Sequence, residues 1–138
     1  MYFVLGIILG VILLGLLIWL IVWQMTEHYN QYEPKLFELR EKFREFPGVN
    51  NIKLYKGNKS YTINKAKVYL CLRDKNGHYY NDNLLAYVFL HELAHVISDS
   101  VGHNEEFHHN FDKLLDMASE RGLYNPAIPI DTNYCNFD

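Results

Sequence analysis

Cysteine is scarce in this chain of 138 residues. Cys71 and Cys135 lie far apart and outside any CxxC pattern. That excludes a cysteine zinc site and a disulfide-dense scaffold. Two buried free thiols in a reducing compartment is the reading this count predicts. A single bridge would require the domain to face an oxidising lumen. A Lys/Arg stripe is also missing, and the net charge is -3. Binding to nucleic acid through its phosphates therefore has no electrostatic footprint. No internal repeat is visible. Aromatics, in contrast, are plentiful, with 11 Tyr and 8 Phe. A disordered chain would be poorer in them.

Charge is absent altogether from Phe3 to Trp23, FVLGIILGVILLGLLIWLIVW. A helix of that length spans about 30 Å, the thickness of a bilayer core. Trp19 and Trp23 sit at its C-terminal end, where amphipathic rings favour the interface. A cleaved signal peptide would want a basic start, a shorter apolar stretch and a small-residue cleavage site. Here the run ends in Trp23-Gln24-Met25. We therefore expect residues 1–23 to be a transmembrane anchor. Gly6-x-x-x-Gly10 would permit close approach of a second helix, hence weak self-association. Lys35, Arg40, Lys42 and Arg44 follow the span. By the positive-inside rule they bias the C-terminal domain toward the cytosol. Asn58-Lys59-Ser60 is a glycosylation sequon, usable only if that domain is lumenal.

Residues 24–33 read as a polar and aromatic stalk, and 34–138 as one domain. Roughly 115 residues beyond the span can bury one modest core. Pro34 suits the first position of a helix in which Leu36, Phe37, Leu39, Phe43 and Phe46 recur at helical spacing. Pro47-Gly48 ends it. Ile52 with Leu54, and Tyr61 with Ile63, alternate as half-buried strands do. Lys67 to Leu72 is the best strand in the chain, and Asp74-Lys75-Asn76-Gly77 is a turn. Asp82 is a candidate N-cap for a buried helix from Leu84 to about Ser98. Asp99 to Gly102 breaks it. Asn104 or His103 can cap a last helix to about Arg121, with Phe107, Phe111, Leu114, Leu115 and Ala118 inward. The elements predict an α+β fold.

The chemistry lies in the buried helix. His91 and His95 are four residues apart, which stacks both imidazoles on one face and lets them hold one ion. Glu92 between them can reach a water on a bound Zn²⁺ and act as general base, then acid. A catalytic zinc needs a third protein ligand and an open position. His103 is the candidate, because Gly102 lets the chain turn back toward the metal. Glu105, Glu106, His108 and His109 compete for that place. His28 and His78 read as surface residues.

His91-Glu92-Leu93-Ala94-His95, followed by Gly102-His103-Asn104-x-x-Phe107, resembles the WLM and SprT-like minimal zinc metallopeptidases. Small membrane-anchored forms from large DNA viruses look similar, including the run from Val68 through Asn76-Gly77 and Tyr79-Tyr80. The resemblance covers roughly Ser60 to Gly122. It implies a zincin-like α+β domain, with zinc on His91, His95 and His103 and with Glu92 catalytic. It also implies that the strand before the active-site helix borders the substrate cleft. Lys67–Leu72 could then accept a peptide by strand addition, or it is an ordinary internal strand. Tyr124 or Tyr134 could stabilise an oxyanion if the tail folds over the cleft.

The function expected is a membrane-tethered peptidase acting on a protein or peptide. The alternatives are a non-catalytic membrane or virion protein stabilised by zinc, and a zinc hydrolase of non-peptide amides. A general base beside three ligands favours catalysis, since purely structural sites usually have four protein ligands.

Overall fold

The computed structural model describes residues 1–135. Asn136 to Asp138, the end of the expected domain, lie outside the described residues. Helix α1 runs from Tyr2 to Gln31. Nothing between Trp23 and Gln31 breaks a helix, so the segment expected as a stalk forms its last turns. The helix is long and apolar enough to cross a membrane. All of its residues up to Thr26 are exposed.

The last turns of α1 dock on the sheet. Tyr55 donates its hydroxyl to Glu27 Oε1 at 2.8 Å, and Lys67 Nζ lies 3.3 Å from the same oxygen. Lys56 Nζ sits 3.7 Å above the Tyr29 ring. Burial, and then the Glu27 carboxylate, push the Tyr55 hydroxyl up to about 12.

Helix α2 spans Pro34–Lys42 and is shorter than its apolar spacing predicts. Turns carry the chain on to Phe46, yet Phe43 and Phe46 remain buried and meet edge to face. Phe37, expected inward, is 58% exposed and packs by its edge against Tyr32. Gly48 is required where it stands. Its φ is +83°, and a Cβ there would come within 2.9 Å of Ile97.

Three short strands follow: β1 at Lys53–Lys56, β2 at Tyr61–Ile63 and β3 at Lys67–Leu70. Their order is β1-β3-β2, with β1 parallel and β2 antiparallel to β3. Tyr55, Tyr69 and Tyr61 stack in register across one face, centroids 4.7 Å apart at each step. Leu54, Val68 and Leu70 point to the other face and are buried.

Helix α3, Asp82–Ile97, packs on that inner face across β2 and β3. Its N-cap is Asn81, not Asp82. Asn81 Oδ1 accepts from the Leu84 amide at 2.8 Å, and Asp82 occupies the first turn, where it pairs with Lys35. Both residues are good caps, and the position of the first turn decides between them. Leu84, Leu85, Val88, Phe89, Leu90 and Leu93 are each at most 2% exposed. At about 1.5–3 kcal/mol per buried side chain this helix is the centre of the core. Helix α4, Glu105–Glu120, packs against α3 and is capped by Asn104. The result is the expected α+β architecture, a small sheet packed against α3 with α4 following.

The cysteines depart from expectation. Cys71 and Cys135 form a disulfide across 64 residues of chain. It fastens the C-terminal segment to the end of β3. Beside it Tyr134 donates to the Cys71 carbonyl at 2.6 Å and pairs with Ser60 Oγ at 2.7 Å.

Candidate metal centre

Helical periodicity places His91 and His95 one above the other on α3, ring centroids 5.1 Å apart. The chain leaves α3 at Ser98 and turns at Gly102, where φ is +92°. His103 returns to the pair. Its Nε2 lies 3.1 Å from Nε2 of His95. One nitrogen from each of the three imidazoles lies within 4.8 Å of the others. Three nitrogens at about 2.0–2.1 Å from a tetrahedral zinc would be about 3.3 Å apart. The donor set and its spacing fit that ion. His91 is buried, His95 half-buried and His103 exposed, so the cluster opens to solvent on the His103 side.

Phe107 supports all three rings. Its centroid is 4.9 Å from His91, 4.4 Å from His95 and 4.8 Å from His103. The first turn of α4 thus carries the apolar support of the triad, and Phe107 is 1% exposed. Glu105, His108 and His109 are exposed on the same helix and are not in the cluster. Glu106 has a different task. It accepts from the amides of Asp99 and Ser100, at 3.2 and 2.8 Å, and from the Ser100 hydroxyl. Those bonds, the hydroxyl first, hold its carboxyl below the usual carboxylate range. Glu106 thereby fixes the loop that delivers His103.

Glu92, the residue after His91 on α3, is fully buried. Thr62 Oγ1 donates to its Oε2 at 2.7 Å. This bond orients the carboxylate. Thr62 belongs to β2, so an edge strand holds the acidic residue of the motif.

That strand order makes Lys67–Leu70 an internal strand. Lys67–Leu70 cannot accept an added peptide strand, because β3 is hydrogen-bonded on both sides. The edge strand beside Glu92 is β2. Alternation of side chains reveals a strand but not its place in the sheet. Tyr134, offered as an oxyanion group, has its hydroxyl engaged by Ser60 and the Cys71 carbonyl. Tyr124 packs beside Tyr87.

One further residue escaped the sequence reading. Lys65 Nζ donates to the carbonyls of His95, Ser98 and Ser100. Asn64 and Lys65 both have positive φ, 52° and 55°, in the tight turn between β2 and β3. The ammonium caps the C-terminus of α3, where the helix dipole favours a cation. Two adjacent polar residues between short strands signal such a turn, but not where the lysine reaches.

No family model matches the chain. Over 87 residues it is 49% identical to the uncharacterised protein 136R of Invertebrate iridescent virus 6, covering 61% of this chain and 49% of that protein. Over 88 residues it is 44% identical to the uncharacterised protein 042R of Invertebrate iridescent virus 3, covering 63% and 55%. The chain spans about half the length of these curated relatives. Among solved structures it is similar to Wss1 from Saccharomyces cerevisiae, with a TM-score of 0.52 and 21% identity. That match covers 62% of this chain and 77% of the other. The likeness establishes a Wss1-like fold.

Proposed function

We propose that this chain is a membrane-tethered zinc peptidase, with the metal held by His91, His95 and His103 and with Glu92 as general base. The observation that carries the proposal is the convergence of three imidazole nitrogens within 4.8 Å, beside a buried carboxylate oriented by Thr62. The WLM-like fold supports it. Bound zinc would act as a Lewis acid and lower the pKa of a water toward about 7.

The chain's own residues supply the rest. Glu92 takes a proton from the attacking water at one carboxylate oxygen and passes it to the leaving amine. Thr62 keeps the other oxygen in place. A peptide laid along β2 would gain main-chain hydrogen bonds by strand addition, close to Glu92. Phe107 keeps the three rings at fixed separations, so little reorganisation is needed on binding. Division into an anchor (1–23), a connecting segment (24–33) and a peptidase domain (34–138) belongs to this proposal. Its partners are a protein or peptide substrate and the membrane. Gly6 and Gly10 lie on the exposed face of α1, where a second copy could pair. No nucleic-acid partner is proposed.

The test is a cleavage screen on membrane and soluble proteomes with the full chain in detergent, native against Glu92→Gln. New N-termini that depend on Glu92 are expected. Identical product sets from the two proteins would sink the peptidase reading.

A further inference from the structure

Both cysteines of the chain are in one bridge, and it is built into the fold. Cys71 is 6% exposed at the end of β3, and Cys135 follows Tyr134, whose hydroxyl is held by Ser60 and the Cys71 carbonyl. Ser60 Oγ in turn accepts from the Cys71 amide at 2.9 Å. Bridge, tyrosine and serine thus form one buried joint. Pairs of this kind persist in oxidising compartments and are kept reduced in the cytosol.

The same joint contains part of the sequon. Asn58 is exposed in the turn between β1 and β2, whereas Ser60 is fully buried. An enzyme that must read Asn58-Lys59-Ser60 can do so only on the unfolded chain, as it emerges across a membrane. In the folded chain, with the bridge formed, Ser60 is buried and the sequon is closed to such an enzyme.

The cations after the span argue the other way only weakly. Lys35 is the first of them, 12 residues beyond Trp23. The positive-inside bias operates on short loops of up to about 60 residues, and longer domains translocate largely regardless of charge. Residues 24–135 exceed that length.

We infer that the domain lies on the oxidising side of the membrane, opposite to the cytosolic placement that charge predicts, with the Cys71–Cys135 bridge closed and Asn58 carrying an N-linked glycan. The inference rests on the membrane-span part of the proposed function and is independent of peptidase activity. In closing the bridge the two thiols lose two protons and two electrons. A protein disulfide of that compartment accepts them by exchange and becomes a dithiol. In the modification, the side-chain nitrogen of Asn58 takes a glycosyl group from a lipid-linked pyrophosphate donor. The pyrophosphate leaves, and one proton is released.

The test expresses the full chain with a C-terminal tag in eukaryotic cells, followed by endoglycosidase treatment, protease digestion of sealed microsomes and thiol alkylation. The expected result is one endoglycosidase-sensitive mobility step, lost in Asn58→Gln. The tag is then protected until detergent is added, and both cysteines resist alkylation until reduced. A digested tag with both cysteines alkylated without reduction would overturn the orientation. A protected tag on a chain lacking the glycan would overturn the Asn58 assignment. Alkaline extraction separates these from failure of the span itself: a chain that washes off the membrane has no anchor, whatever its disulfide state.

Discussion

Thr62 Oγ1 and Glu92 Oε2 are 2.7 Å apart, and this bond joins the edge strand to the acidic residue of the motif. Removing it should change turnover more than metal binding. Hydrogen bonds to a charged group are worth about 1.5–3 kcal/mol. Thr62→Val is therefore expected to lower kcat about 10- to 100-fold, with zinc content unchanged. Steady-state kinetics beside metal analysis checks this. Equal losses of zinc and activity would show that Thr62 acts on the fold, not on Glu92.

Lys65 ties the end of α3 to the loop that carries His103, through three carbonyls. Lys65→Met keeps the length and removes the charge. It should destabilise the chain by about 1–3 kcal/mol. Zinc affinity should fall as well, because the His103 loop loses one of its two fixings, the other being Glu106. Denaturant melts with and without chelator measure both effects. A variant of native stability would show that the Lys65 bonds do not hold the end of α3.

The disulfide closes a loop of 64 residues. Chain entropy puts the full value at about 4 kcal/mol, and measured values are often smaller. Cys71→Ser with Cys135→Ser should lower stability by about 2–4 kcal/mol. Amide exchange should rise at Tyr134 and near Ser60, the other half of the joint. Unchanged melting would mean that the tail is held by Tyr134 without the bridge.

Tyr55 carries a pH signature. Its hydroxyl, buried and donating to Glu27, ionises at about 12 in the folded chain, against about 10 in an unfolded one. The folded state therefore binds the extra proton between those values. The stability this gives is fully present below pH 10 and is lost as pH rises through about 12. Tyr55→Phe should be less stable at neutral pH, and its stability should fall less steeply over that alkaline window. Parallel slopes for the two proteins would contradict the assignment.

Much of this was legible in the sequence, for identifiable reasons. The apolar helix through Phe3 to Trp23, the buried helix around His91 and Glu92, and the breaks at Gly102 and Gly122 are local signals of period, length and turn chemistry. The return of His103 to the pair also followed from a local break. What failed to read were relations between distant segments. The order β1-β3-β2 put Thr62, not the stronger strand Lys67–Leu70, beside Glu92. Strand strength measures burial, and the centre of a sheet is where burial is greatest. Cys71 and Cys135 lie so far apart that only the fold brings them together. The roles of Lys65 and Glu106 likewise depend on where their long side chains reach.

In the proposed site His91, His95 and His103 hold one zinc while Glu92 does not bind it. Metal analysis of the purified full chain in detergent, with His103→Ala and Glu92→Gln alongside, tests it directly. About one zinc per native chain is expected, kept in Glu92→Gln and lost or much weakened in His103→Ala. A native chain that retains no zinc, or zinc affinity unchanged in His103→Ala, would contradict it.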